Sequence, residues 1–143
     1  MLNQELIINK RRFTAEVAMT QEELTKGLAG VTTLPRNHGM LFVLPQETRV
    51  TLDGSDGLMG LDIAYMDDQG KIIEFKKLDR KQEEFLVSES GNVKYMLQMP
   101  KNWFAANNIQ IDDILSFMVK TPIWMVIDMM QLIPETMPKE GVA

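Results

Sequence analysis

The stretch from Phe13 to Pro45 constrains the fold more than any other part of the chain, because several kinds of local signal follow one another there without a break. Phe13, Ala15 and Val17 alternate with Thr14, Glu16 and Ala18, the period-two pattern of a strand with one buried face. Thr20-Gln21-Glu22-Glu23 is a capping box, in which the Thr20 hydroxyl accepts a free backbone N–H of the first turn and Glu23 reaches back to another. Glu22 and Glu23 also suit the positive end of the helix dipole. Leu24 and Leu28 give this helix one apolar edge, and Gly27 and Gly30 offer left-handed stops. After the loop from Leu34 to Gly39, Met40-Leu41-Phe42-Val43-Leu44 is a continuous apolar run, read as a strand buried on both faces and ended by Pro45.

The remaining signals are mostly those of strands. Leu61–Met66 and Lys71–Phe75 flank Asp67-Asp68-Gln69-Gly70, whose residues favour a tight hairpin turn. Residues 76 to 92 are polar and predict a loop with one short strand at Phe85-Leu86-Val87. Val93 to Met99 alternates up to Pro100, and Lys101 to Asn108 allows a helical turn ending at Asn. Ile114 to Val119 reads as a last strand after the Asp112-Asp113 turn. Six or more strands with so little helix predict a mostly β (α+β) domain, a single coiled sheet or barrel-like body spanning residues 1–143. A chain of 143 residues can bury one core, and no repeat or linker marks a second domain.

The C-terminal segment differs from this pattern. Thr121-Pro122 opens a helix and Pro134 closes it, and Ile123 to Ile133 between them is apolar on nearly every side. It is too short for a bilayer, which needs about 20 residues. Such a helix must be buried, either on its own barrel or through self-association or a protein partner. For the second case Trp124, Met125, Met129 and Met130 are the candidate anchors, in a chain that holds 12 Met.

Composition excludes several functions. A net charge of -5 argues against nucleic acid, whose binding rests on Lys and Arg neutralising phosphates. The absence of Cys removes disulfides, thiolate catalysis and thiolate metal sites, and a single His, His38, supports neither a common zinc site nor a His-based triad. The N-terminus lacks a long apolar region with a cleavage site, so the expected location is intracellular, in the cytoplasm.

Taken in order and spacing, Val17-Ala18-Met19-Thr20, Glu22, Gly27-Leu28, Leu34-Pro35, Gly39-Met40-Leu41-Phe42-Val43 and Leu61-Asp62-Ile63-Ala64 resemble the family called domain of unknown function 192, over about Phe13 to Phe117. The resemblance implies a coiled β-sheet domain with one helix near its N-terminus and no agreed activity. The family's Trp-Met-Lys-Asn-Thr stretch, its best candidate for a ligand or partner surface, is replaced here by Asp53-Gly54-Ser55-Asp56-Gly57, where only Asp56 keeps the size and hydrogen-bonding capacity of the family's Asn. The family's late Gly-Asp is Asp112-Asp113, and the Cys pair of many members is absent.

Asp53, Asp56 and Asp62 are the candidate ligand or metal residues, because hard carboxylate oxygens at close spacing suit calcium or magnesium. The spacing does not fit the calcium-loop template, and Asp with Gly is an ordinary turn composition. Asp62 interrupts an apolar strand, which makes partial burial one reading; a strand with a single buried face would instead point it outward. No catalytic residue, cofactor or resident metal is assigned. The expected function is a non-enzymatic binding or accessory module for a protein or small ligand. Its rivals are a metal-dependent or carboxylate-based hydrolase, which requires Asp53, Asp56 and Asp62 to converge, and a structural subunit of a larger assembly, a viral one included.

Overall fold

The sheet begins earlier than its alternating pattern suggests. In the computed structural model, which describes residues 2–117 and 123–127, strand β1 (Leu2–Ile8) pairs antiparallel with β2 (Arg11–Ala18) from Leu2 opposite Val17 to Ile8 opposite Arg11. Asn9 and Lys10 join them, both left-handed at φ 49° and 68°, which matches the right-handed twist of a two-residue hairpin. Only Leu6 and Ile8 of β1 are buried, so the strand has too few apolar positions for alternation to reveal it.

Helix α1 (Gln21–Lys26) starts at the expected capping box: the Glu23 N–H donates to Thr20 Oγ1 and the Thr20 N–H to Glu23 Oε1, each at 3.1 Å. It stops at Gly27, whose φ of 48° lies in the region glycine tolerates. Residues 19–37 carry the chain over to β3 (His38–Thr48), which runs parallel to β2 from Thr14 opposite His38 to Ala18 opposite Phe42. A parallel pair needs such a crossover, and α1 provides it.

Pro45 does not end β3. The strand continues to Thr48, and its register against β8 (Val93–Pro100) shifts between Val43 and Thr48. The irregularity opens the ladder where a residue without an N–H cannot donate. The remaining strands are β4 (Thr51–Leu52), β5 (Leu61–Met66), β6 (Ile72–Leu78), β7 (Leu86–Val87) and β9 (Leu115–Phe117), with a short helix α2 (Trp103–Ala106) between β8 and β9. The main sheet has the order β6-β5-β8-β3-β2-β1-β9, and β4 pairs with β7 beside it.

This sheet is curled so far that its outer ends meet. Lys71 bridges Ile114, the Ile72 N–H donates to the Asp113 carbonyl at 2.9 Å, and the Leu115 N–H donates to that of Gly70 at 3.0 Å. One face buries Phe13, Leu41, Met66, Leu97, Trp103 and Phe104 among others. The opposite face buries Met40, Phe42, Ile63, Tyr65 and Met96, with Leu24 and Leu28 of the α1 region packed on them. Both faces of the central strands are therefore covered, which explains the continuous apolar run of β3 and the burial of every residue in β5.

Residues 123–127 are helical, and Ile123 and Ile127 are fully buried in the first of these clusters. Ile123 lies so close to Gly70 that a Cβ there would stand 2.7 Å from its Cγ2. This turn of the apolar C-terminal segment is packed on its own sheet. The expected continuation to Ile133 lies outside the described residues.

Candidate functional site

The turn from Asp53 to Gly57 forms one wall of a cleft. Asp53 Oδ1 accepts the Ser55 N–H at 3.0 Å, the Gly57 N–H donates to the Gly54 carbonyl at 3.0 Å, and the Lys81 N–H donates to the Gly57 carbonyl at 2.9 Å. These bonds fold residues 53–57 into a tight turn anchored on the loop after β6. At Gly54 a Cβ would approach Leu78 Cδ1 to 2.8 Å, so a larger residue there would make that side chain shift. The Ser55 N–H holds the exposed Asp53 carboxyl below its ordinary value.

Between this turn, α1 and the sheet lies a cleft of about 450 Å³. Its apolar lining includes Leu24, Leu28, Phe42, Leu61, Leu78 and Met96, and Lys26, Asp53, Asp56 and Gln98 add polar groups. Gln98 is 5% exposed and belongs to β8, where it stands opposite both Met40 and Ile63. Among the described residues its side chain has a single hydrogen-bond partner, Met96 Sδ, 3.9 Å from Nε2, and a thioether is a weak acceptor. The sequence does carry a signal for this residue: Gln98 interrupts the apolar run from Tyr95 to Met99.

Asp62 faces the other way. The residues that alternate with it in β5, Leu61 and Ile63, join the cluster beneath α1, while Asp62 lines a second cleft of about 260 Å³ with Phe75, Lys76, Lys77, Phe104, Ala105 and Ile109. It does not point to solvent, as a singly buried strand would require; it is 7% exposed because both faces of β5 are covered. Oδ2 accepts the Asn102 N–H at 3.0 Å, whereas Oδ1 is buried and has no hydrogen-bond partner among the described residues.

Asp53 and Asp56 thus line one cleft and Asp62 another, on opposite faces of the sheet. Among the described residues no three His, Cys, Asp or Glu side chains stand together as a metal ligand set. The convergence that the hydrolase reading requires is missing. Trp124 packs partly against the core and Met125 is 45% exposed, while Met129 and Met130 lie outside the described residues. Tyr65 is a further buried polar group that alternation did not single out: among the described residues its hydroxyl has no partner, and burial, with Glu74 adding to it, pushes its pKa up to about 12.

A curled, mostly β sheet with a short helix over one face and a cleft beneath that helix defines the class of protein. The family model for domain of unknown function 192, described as "Uncharacterized ACR", matches residues 4–117, and the chain belongs to that family. The match takes in β1, ahead of the Phe13 start that its motifs suggest. A solved structure from Sinorhizobium meliloti, described as a "putative transcription regulator", is similar with a TM-score of 0.72 at 20% identity, covering 80% of this chain and 91% of that one. A protein of unknown function from Novosphingobium aromaticivorans gives 0.70 at 19% identity, covering 79% and 84%. At these identities the likeness is one of fold. No curated protein matches the chain. Among the described residues no helix is long and apolar enough to cross a membrane.

Proposed function

We propose that the chain is a binding module whose ligand, a small molecule with an apolar body and one amide-like group, occupies the cleft beneath α1. The observation that carries this reading is Gln98. A primary amide in the lining of a largely apolar cleft carries two donors and an acceptor, and among the described residues it rests on nothing stronger than a thioether. Such a group discriminates for a ligand that pairs with it, because a ligand that covers the amide without pairing it pays roughly 1–3 kcal/mol. The volume of about 450 Å³ falls within the range of roughly 300–1,000 Å³ for small-molecule sites. No catalytic group is assigned, since the carboxylates nearest the cleft are held in a turn and their third member is on the other face.

The regulator description of the Sinorhizobium protein does not favour DNA as the ligand here, because a net charge of -5 leaves little to neutralise phosphates. A fragment library containing primary and secondary amides, screened by protein-observed NMR on the native chain and on Gln98→Leu, tests the proposal. Amide fragments are expected to shift the backbone signals of Gly54, Gly57 and Gln98 in the native protein and to lose about tenfold in affinity in the variant. Fragments that bind both proteins equally, or none that reach this cleft, would overturn it.

A further inference from the structure

We infer that the Asp62 cleft is a second ligand site, one that takes a guanidinium group, on the face of the sheet opposite the cleft beneath α1. Its inner end is a carboxylate more than nine-tenths buried, with Oδ2 holding the Asn102 N–H and Oδ1 holding nothing. A carboxylate oxygen shut away from water without a donor is unfavourable, so a donor brought to it is bound strongly. Lys76 and Lys77 also line the cleft, but among the described residues no cation pairs with Asp62. Lys77 stands directly opposite Asp62 in the β5–β6 pairing but is exposed and makes no ion pair with it, and Lys76 is turned to Glu74 and Glu89 at 3.9 and 3.6 Å.

The rest of the lining selects the kind of cation. Phe75 and Phe104, with ring centroids 5.2 Å apart, and Ile109 make an apolar wall beside the carboxylate. A guanidinium is planar and weakly hydrated, stacks on aromatic rings and carries its donors in a fork that fits a carboxylate. An ammonium is compact and strongly hydrated, so it gives up more on entering such a wall. Asp62 itself lines the cleft, and because its χ2 torsion is broad a small turn of the carboxylate brings an oxygen within reach of a ligand there. The net charge of -5 adds a general attraction for cations. Two sources offer this chemistry, an arginine side chain of a protein and a free guanidinium compound.

The test is a titration of 15N-labelled protein with propylguanidinium, N-acetylarginine amide, propylammonium and the uncharged propylurea. The two guanidinium probes are expected to shift the Asn102 and Phe104 amides saturably, and Asp62→Asn to weaken them at least about tenfold. Ala105→Leu leaves the Asp62–Asn102 bond in place and fills the cleft from its exposed side, so it keeps the test open if the Asp62 variant folds poorly; the same loss is expected of it. Tighter binding of N-acetylarginine amide than of propylguanidinium assigns the cation to a protein, and the reverse order to a free compound. The inference is overturned by the absence of a saturable shift, by propylurea or propylammonium binding as well as propylguanidinium, or by binding undiminished in Ala105→Leu.

Discussion

The Asp62 carboxylate accepts the backbone N–H of Asn102 at 3.0 Å, which ties the start of β5 to the residue that opens α2. Asn102 has φ 69°, in the left-handed region where a side chain costs about 1–2 kcal/mol for most residues and less for Asn. Asn102→Gly is expected to leave stability nearly unchanged, Asn102→Val to lower it by about 1–2 kcal/mol, and Asp62→Ala to lower it by roughly 1–3 kcal/mol by stranding the N–H. Urea midpoints of the three variants check the order; equal values for Gly and Val would show that the backbone there is unstrained.

Tyr65 gives the protein a limit on the alkaline side. Its pKa is pushed from 10.0 up to about 12, burial being the larger cause and Glu74 the smaller. A raised folded-state value means that the stability is complete below the unfolded value and is lost as pH rises through the folded one, here between about 10 and 12. The loss is on the order of 2–3 kcal/mol. Because the hydroxyl has no partner, Tyr65→Phe is expected to be neutral or stabilising by about 1 kcal/mol at pH 7 and to remove this part of the alkaline loss. Denaturant midpoints for both proteins from pH 8 to 11.5 would reveal it.

The capping box responds in the opposite direction. The N–H groups of Met19 and then Thr20 hold the Glu23 carboxyl below its ordinary 4.5. A lowered value means that the stabilisation is present above the unfolded pKa and disappears as pH falls through the folded one. Thr20→Ala is expected to cost about 1 kcal/mol at pH 7. Glu23→Gln should cost less, and its deficit relative to the native chain should shrink on acidification below 4.5. A deficit that does not change with pH would mean that the carboxylate charge plays no part in the cap.

Two glycines offer a matched comparison. At Gly39 a Cβ would lie 2.3 Å from both the Gln98 carbonyl oxygen and Met99 Sδ, and the first of these is backbone of the paired strand β8. At Gly60 the nearest atoms would be 3.8 Å away and the backbone is unexceptional. Gly39→Ala is expected to cost about 3 kcal/mol, and Gly60→Ala to fall within about 0.5 kcal/mol of the native chain. Thermal unfolding of the pair separates the steric cause from a general loss of glycine.

Much of the scaffold is legible in local sequence because its causes are local. Thr20 and Glu23 form their box within one turn, Asp67 to Gly70 close their hairpin, and the apolar run at Met40 to Leu44 carries the signature of a strand covered on both sides. Three readings needed more. Pro45 looks like a terminator until the β3–β8 register shift shows where its missing donor is absorbed. β1 hides because five of its seven residues are not fully buried and its pairing partner supplies the order. Asp62 reads either as a partly buried group or as an outward one until packing on both faces of β5 decides for burial.

The sequence by itself determined the class of fold, the capped helix, the family and the absence of thiol chemistry, since each rests on residue types at fixed short spacing. Only the tertiary structure decided which polar groups share a space. Asp53 and Asp56 meet Gln98, some 40 residues further along the chain, across one cleft, while Asp62 meets Phe104 and Asn102 across another. The reason is geometric: successive residues of a strand point to opposite faces, and the partners on each face are set by long-range strand pairing that no local pattern encodes.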